Sequence, residues 1–81
     1  MWYVYILLCS GNSLYTGIAK DPQKRFQSHV RGTGGKYTRL RKPLRIIYIQ
    51  PQPDHSAALR REAEIKSWTR DRKILRLNLS I

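Results

Sequence analysis

Five side chains in this 81-residue sequence are of types that do chemistry and sit out of place in a plain apolar core: Tyr5, Tyr15, Arg25, His29 and Glu62. Together they suit hydrolysis of a phosphodiester. A carboxylate such as Glu62 can hold a divalent cation, which polarises a phosphate and offsets charge on the leaving oxygen. An arginine grips a nonbridging oxygen through two N–H groups. A phenol or an imidazole beside the attacking water can take its proton. Each residue also has a structural reading. Strand tyrosines often bury the ring and let the hydroxyl reach water, and a histidine beside a basic helix is commonly a surface residue. Arg25 and Glu62 can form a bridge, and Cys9, the only thiol, reads as a small core residue. The five together, on a strongly basic chain, weigh toward a site.

Sixteen Lys and Arg against five Asp and Glu give a net charge of +11. On so small a surface that imbalance attracts polyanions. Nucleic acid fits best, because the basic residues are interleaved with aromatics and no long apolar face accompanies them. A solvated basic surface without a partner, or an anionic membrane, are the alternatives. The expected nucleic-acid contacts are Lys20, Lys24, Arg31, Lys36, Tyr37, Arg39, Arg41 and Lys42. One cysteine excludes an internal disulfide and a multi-cysteine zinc site. No stretch approaches the ~20 apolar residues that cross a bilayer, and no basic leader with a cleavage site precedes the first apolar run. A reducing cytoplasmic compartment is the expectation. At this length one domain over residues 1–81 is expected, with a small core, since such chains bury only about 60% of their unfolded surface.

The elements that must position the five residues follow from local chemistry. Trp2–Leu8 and Leu14–Ile18 are β-branched and aromatic runs separated by Cys9-Ser10-Gly11-Asn12-Ser13, the pattern of a β-hairpin. Trp2, Val4, Ile6 and Leu8 point to one face, and Tyr3, Tyr5, Leu7 and Cys9 to the other. Both faces are largely apolar, which predicts a strand covered on both sides and central in its sheet. Asp21-Pro22 predicts a helix start, with a cap and a first residue that has no N–H to waste; the helix ends near Arg31, before Gly32. On it Phe26 and Val30 form an apolar stripe near Pro22, flanked by Arg25 and His29 at the boundary of core and solvent.

Gly32-Thr33-Gly34-Gly35-Lys36 reads as a loop, mobile or open to a phosphate, and it lacks the glycine spacing of a Walker loop. Tyr37–Lys42 is a basic segment ended by Pro43. Leu44–Gln50 is a well-buried third strand stopped by Pro51 and Pro53. Asp54 or Ser56 opens a helix over about Ser56–Trp68, on which Ala58, Leu59, Ala63 and Ile65 mark an apolar arc. Glu62 falls inside that arc, where an unpaired carboxylate costs several kcal/mol, and so needs a cation, a metal or hydrogen bonds. Glu64 faces away, between Arg60 and Arg61. A last short helix, Thr69–Asn78, packs through Ile74, Leu75 and Leu77. The expected fold is α+β: a small three-stranded, mainly antiparallel sheet flanked by helices, in the order β-β-α-β-α-α.

Tyr3-Val4-Tyr5 and Tyr15-Thr16-Gly17, about ten residues apart on a hairpin, resemble the two sequence marks of the GIY-YIG nuclease domain. Arg25 in Lys24-Arg25-Phe26, His29 one turn later, and Glu62 in Leu59-Arg60-Arg61-Glu62 follow in the family's order. The likeness covers nearly the whole chain and is greatest to a small single-domain branch similar to the nuclease domain of structure-specific repair endonucleases. Tyr3 stands where the family name has glycine, which narrows the strand surface there. The resemblance implies hydrolysis of DNA with Mg²⁺ or Mn²⁺ held by Glu62. It makes Tyr5 the general base or water-positioning phenol and Arg25 the phosphate clamp, with Tyr15 and His29 orienting water and phosphate. It also nominates Asn78 as a late asparagine near the site. A non-cleaving nucleic-acid-binding module, on DNA or RNA, is the alternative, and a protein partner or homodimer is expected to help choose the substrate.

One geometric condition attaches to the hairpin. Residues opposite one another on antiparallel strands share a face, so Tyr5 and Tyr15 meet only if Tyr5 faces an odd-numbered residue such as Gly17. A plain four-residue loop over Ser10–Ser13 would separate them. A five-residue connection, or a bulge near Cys9-Ser10-Gly11, is therefore expected.

Overall fold

Strand β1 (Trp2–Cys9) lies in the middle of a three-stranded antiparallel sheet ordered β2-β1-β3, with β2 Ser13–Ala19 and β3 Pro43–Gln52 at the edges. The computed structural model describes residues 1–81, and helices α1 (Pro22–Val30), α2 (Lys36–Leu40), α3 (His55–Lys66) and α4 (Arg70–Leu77) complete the order β-β-α-α-β-α-α. The fold is α+β as the sequence predicts, with one helix more. Tyr5 pairs with Gly17, Leu7 with Tyr15 and Cys9 with Ser13, so odd residues face odd residues. That is the register the two tyrosines require. It is reached differently from the expectation: Cys9 and Ser13 close the ladder, leaving a three-residue 3-10 turn, Ser10–Asn12. Gly11 and Asn12 both take left-handed φ there, +72° and +63°, which glycine and asparagine accept at least cost. The irregularities in register lie between β1 and β3 instead, at Ile6/Leu7 and Leu8/Cys9.

Because β1 is central, its alternating side chains feed two cores. Val4 and Ile6 join Ala58, Ile65 and Leu79 on the side of α3 and α4. Tyr5, Leu7 and Cys9 join Ala19 on the other side, with Tyr15, Phe26 and Ile46 packed against them. The helices start where their caps predict. Asp21 accepts from Lys24 N at 3.1 Å with Pro22 at the first position, Asp54 accepts from Ala57 N at 2.8 Å, and Thr69 accepts from Arg72 N at 3.2 Å.

Four expectations are corrected. His29 is fully buried, whereas Val30 is 45% exposed, so α1 turns its histidine rather than its valine toward the sheet; both imidazole nitrogens find partners there. Lys36–Leu40, expected only as the end of a loop and the start of a basic segment, is a helical turn. With five residues and no side-chain cap it has no local signal. It is held from the sheet side, by Thr38 on His29 and by the Tyr37 hydroxyl donating to Leu14 O at 3.4 Å. Strand β3 is an edge strand in which only Pro43 is buried, and it runs through Pro51, a residue that edge strands tolerate. The outer apolar residues of the last two helices also lie further out than expected. Leu59 and Ala63 are exposed and Leu75 is 82% exposed, while Ile74 and Leu77 pack inward.

Candidate active site

Tyr5 projects from β1 toward α1, and its hydroxyl lies 2.9 Å from His29 Nε2. The far ring nitrogen, Nδ1, lies 2.8 Å from Thr38 Oγ1 on α2. Tyr5 and His29 are each 1% exposed. Tyr15 covers the pair from β2, its ring meeting the His29 ring edge-on at 4.9 Å between centroids and the Tyr5 ring at 6.3 Å. Tyr37 stacks outside it at 5.6 Å. A hydrogen-bonded phenol and imidazole thus sit under a lid of two further aromatic rings.

The electrostatics of Tyr5 report which groups converge on it. Burial first, then the neighbouring Tyr15 and the carboxylate of Glu62, push its phenol up to about 12, against the pull of the Arg25 guanidinium. Burial, and then Arg25, lower the His29 imidazole below its ordinary 6.5, so the ring is neutral at neutral pH. All four companions named from the sequence therefore act on Tyr5: His29 and Tyr15 by contact, Arg25 by hydrogen bonding and then charge, and Glu62 through its charge. Arg25 is exposed on α1 and donates from Nη2 to Gly34 O at 3.0 Å, which ties the glycine loop to the site. It forms no bridge with Glu62.

Glu62 is the one acidic residue so placed. Asp21 and Asp54 cap helices, Glu64 is bound to Arg61, and Asp71 lies beside Arg70. The Glu62 side chain is 19% exposed, rather than deep in the arc of α3, and it pairs with Lys66 at 3.3 Å. No group of three or more His, Cys, Asp and Glu side chains comes together as a metal cage. A single half-buried carboxylate fits Mg²⁺ or Mn²⁺ all the same, because such ions keep several waters and take one or two protein carboxylates plus substrate phosphate. Asn78 stands apart from this cluster. It is the exposed C-cap of α4, in a left-handed conformation with φ +53°, and its N–H donates to Ile74 O.

The expected nucleic-acid contacts, Lys20, Lys24, Arg31, Lys36, Tyr37, Arg39, Arg41 and Lys42, are all exposed, and none is in a salt bridge. Lys20 lies over the Trp2 ring at 5.5 Å. Arg31, Arg39 and Lys42 surround a concavity of about 350 Å³ whose wall includes His29 and Thr38, so free cations ring the back of the site. A second concavity of about 380 Å³, between Gln52, Ala57 and the Arg61–Glu64 pair, contains none of the five candidate residues.

Three residues support the site in ways that the sequence alone does not show. Gly17 is one: a Cβ there would stand 2.7 Å from the Tyr5 hydroxyl and 3.1 Å from the Tyr15 ring, so the tripeptide Tyr15-Thr16-Gly17 ends in glycine to admit both phenols. Gly34 is another, since a Cβ would stand 2.7 Å from His29 Cγ; at this one glycine the loop packs tightly on the histidine. Thr38 is the third, and nothing in its neighbours Tyr37 and Arg39 signals it. Thr16 points to the opposite face, where its Oγ1 is buried without a hydrogen-bond partner.

Residues 1–75 match the GIY-YIG catalytic domain. UPF0213 proteins from Staphylococcus aureus strains Mu50 and N315 are each 49% identical to this chain over 72 residues, which span 89% of it and 88% of theirs. The solution NMR structure of the UPF0213 protein BH0048 from Bacillus halodurans is 39% identical and superposes with a TM-score of 0.61, covering 96% of this chain and 84% of that one. The marks on the hairpin, the arginine and histidine on α1 and the glutamate on α3 are thus carried by a chain that belongs to the GIY-YIG catalytic domain family, alongside the UPF0213 proteins.

Proposed function

We propose that this chain is a metal-dependent endonuclease that hydrolyses DNA phosphodiester bonds, at branched or distorted structures such as arise in repair and recombination. In this reading residues 1–81 act as a single nuclease domain of the kind found in structure-specific repair endonucleases. The observation that carries it is the buried Tyr5–His29 hydrogen bond of 2.9 Å, with a guanidinium and a carboxylate both close enough to bias the phenol. The hydrogen bond alone would satisfy a packed core; the guanidinium and carboxylate beside the phenol are what proton transfer from a water next to a phosphate would use.

In the reaction so read, the phosphodiester lies against Arg25, whose free N–H groups hold a nonbridging oxygen. Tyr5 takes the proton of the attacking water, with His29 neutral behind it to receive the phenol's own proton. Tyr15 shields the pair from bulk water and orients the nucleophile. Glu62 would hold Mg²⁺ or Mn²⁺, which would supply Lewis-acid polarisation of the phosphate and charge compensation for the leaving oxygen. The cation would compete with the Lys66 ammonium for the Glu62 carboxylate. The exposed cations of α1, the glycine loop and α2 hold the flanking strand.

The alternative, a nucleic-acid-binding module that does not cleave, is favoured by one observation: Lys66 already occupies the only carboxylate at the site. A panel of labelled single-stranded, duplex, flap and four-way DNAs with Mg²⁺ or Mn²⁺ separates the two. Cleavage by the wild type that disappears in Glu62→Ala, with binding retained, supports the enzyme. Binding without cleavage on every substrate and metal retires it in favour of the module. With so little surface for target choice, a protein partner or a second copy of the chain is expected to narrow the substrate.

A further inference from the structure

His29 makes a hydrogen bond at each ring nitrogen, 2.9 Å to the Tyr5 hydroxyl and 2.8 Å to Thr38 Oγ1. A neutral imidazole has one donor and one acceptor, so the two bonds run in the same sense through the ring. In one sense Tyr5 donates to Nε2 and Nδ1–H donates to Thr38. In the other, Thr38 donates to Nδ1 and Nε2–H donates to Tyr5. The two senses have opposite chemical consequences. Only the first lets Tyr5 pass its own proton to Nε2 as it takes one from water, because in the second Nε2 already carries a proton and can accept none.

Thr38 holds the choice. Its hydroxyl has a second acceptor, Gly35 O at 3.4 Å, which is already the acceptor that begins the α2 turn through Arg39 N at 3.2 Å. With the threonine proton on that carbonyl, Oγ1 presents lone pairs to His29 Nδ1. Thr38 is 3% exposed, and Gly34 packs its backbone against the imidazole, which fixes the ring beside the hydroxyl. We propose that Thr38 is a positioning residue: it holds His29 as the Nδ1–H tautomer, leaves Nε2 bare, and so makes Tyr5 a proton acceptor for the attacking water. The proposal rests on the nuclease reading for its catalytic consequence, but not for the tautomer itself.

The step balances. The water oxygen bonds to phosphorus as the bond to one ester oxygen breaks. The water's proton passes to the Tyr5 oxygen as the phenol's proton passes to His29 Nε2, and the departing alkoxide takes a proton from solvent. The imidazolium, doubly protonated with Thr38 still accepting at Nδ1, returns its proton through Tyr5 to solvent once product leaves.

The test is a long-range ¹H–¹⁵N correlation spectrum of the full chain labelled at histidine, recorded at mildly alkaline pH where the imidazoles are neutral. The expected wild-type result is Nδ1 protonated and Nε2 bare at His29. Thr38→Val is expected to move His29 to the Nε2–H form, and Thr38→Ser to keep the wild-type form. In DNA cleavage, Thr38→Val should lower kcat by about ten-fold or more with KM unchanged, a fraction of what a general base contributes, while Thr38→Ser restores it. A wild-type spectrum with Nε2–H at His29 overturns the proposal, as does a folded Thr38→Val that keeps both the Nδ1–H form and full kcat. If Thr38→Val fails to fold, the wild-type tautomer and the serine variant decide. If no DNA is cleaved while His29 carries its proton at Nδ1, the nuclease reading falls and the tautomer assignment stands.

Discussion

Replacing Gly17 by alanine adds a single methyl group and should disable the site. The backbone at Gly17 lies outside the left-handed region, so alanine is conformationally acceptable and the effect is purely one of space. The new Cβ would sit 2.7 Å from the Tyr5 hydroxyl and 2.8 Å from its ring carbon Cζ, where ordinary contact begins near 3.4 Å. Tyr5 must therefore retreat by about 0.7 Å, and it has nowhere to go, because the His29 ring stands 2.9 Å behind its hydroxyl. Overpacking of this kind costs ~1–3 kcal/mol. Displacing a reacting group by most of an ångström costs on the order of 10²-fold in rate. Urea unfolding followed by circular dichroism reads the first, and cleavage of a labelled DNA that the wild type cuts reads the second. Tyr5→Phe on the alanine background should recover only part of the stability, since Cζ still crowds the methyl. A Gly17→Ala protein with the wild-type midpoint and a rate within about two-fold would refute the claim that this glycine exists to admit the phenol.

Other predictions follow from the two buried titrating groups. His29 is held neutral in the folded state, with its pKa below the unfolded 6.5, so the unfolded chain binds more protons there. Its contribution to stability is full above pH 6.5 and declines as pH falls through the lowered folded value; the Tm of the wild type should drop more steeply across that window than that of His29→Gln, and parallel curves would contradict it. Arg25 is the second cause of that depression, so Arg25→Ala should raise the His29 pKa toward 6.5 in an NMR titration, and a fall would show the charge acts otherwise. The Cys9 thiol is fully buried and pushed up by that burial, so an aromatic disulfide reagent should label it only in denaturant; rapid labelling of the native protein would mean β1 opens easily.

What could be read from the sequence was local or fixed by parity. The caps at Asp21, Asp54 and Thr69 each act within three residues, and all three start helices in the structure. The odd-to-odd register was legible because two tyrosines can share a face in no other way. The burial of His29 was not, because the partners that make it tolerable, Tyr5 and Thr38, lie 24 and 9 residues away. Helix α2 escaped for the same reason: the contacts of Thr38 and Tyr37 stabilise it, and no cap announces it. Strand β3 reads as buried from composition, yet its place at the sheet edge leaves Leu44 and Ile49 exposed. Glu62 reads as a charge that needs a partner, and Lys66, four residues on along the same helix, supplies it.

The three-residue turn Ser10–Asn12 has a consequence for how this chain tolerates change in length. Its side chains take no part in the cluster, and many residue choices that accept its left-handed positions would serve. The count is another matter. One residue inserted there, if the turn kept three residues and the extra one entered β2, would slide the strand by one position and hand every side chain to the opposite face. Tyr15 and Gly17 would turn toward α3, Thr16 would turn toward His29, and both sheets of side chains would remain apolar enough for the fold to persist. Two residues inserted would restore the faces. Whether the turn lengthens to absorb an insertion or passes it into β2 thus separates a chain that keeps its tyrosines together from one that keeps only its shape.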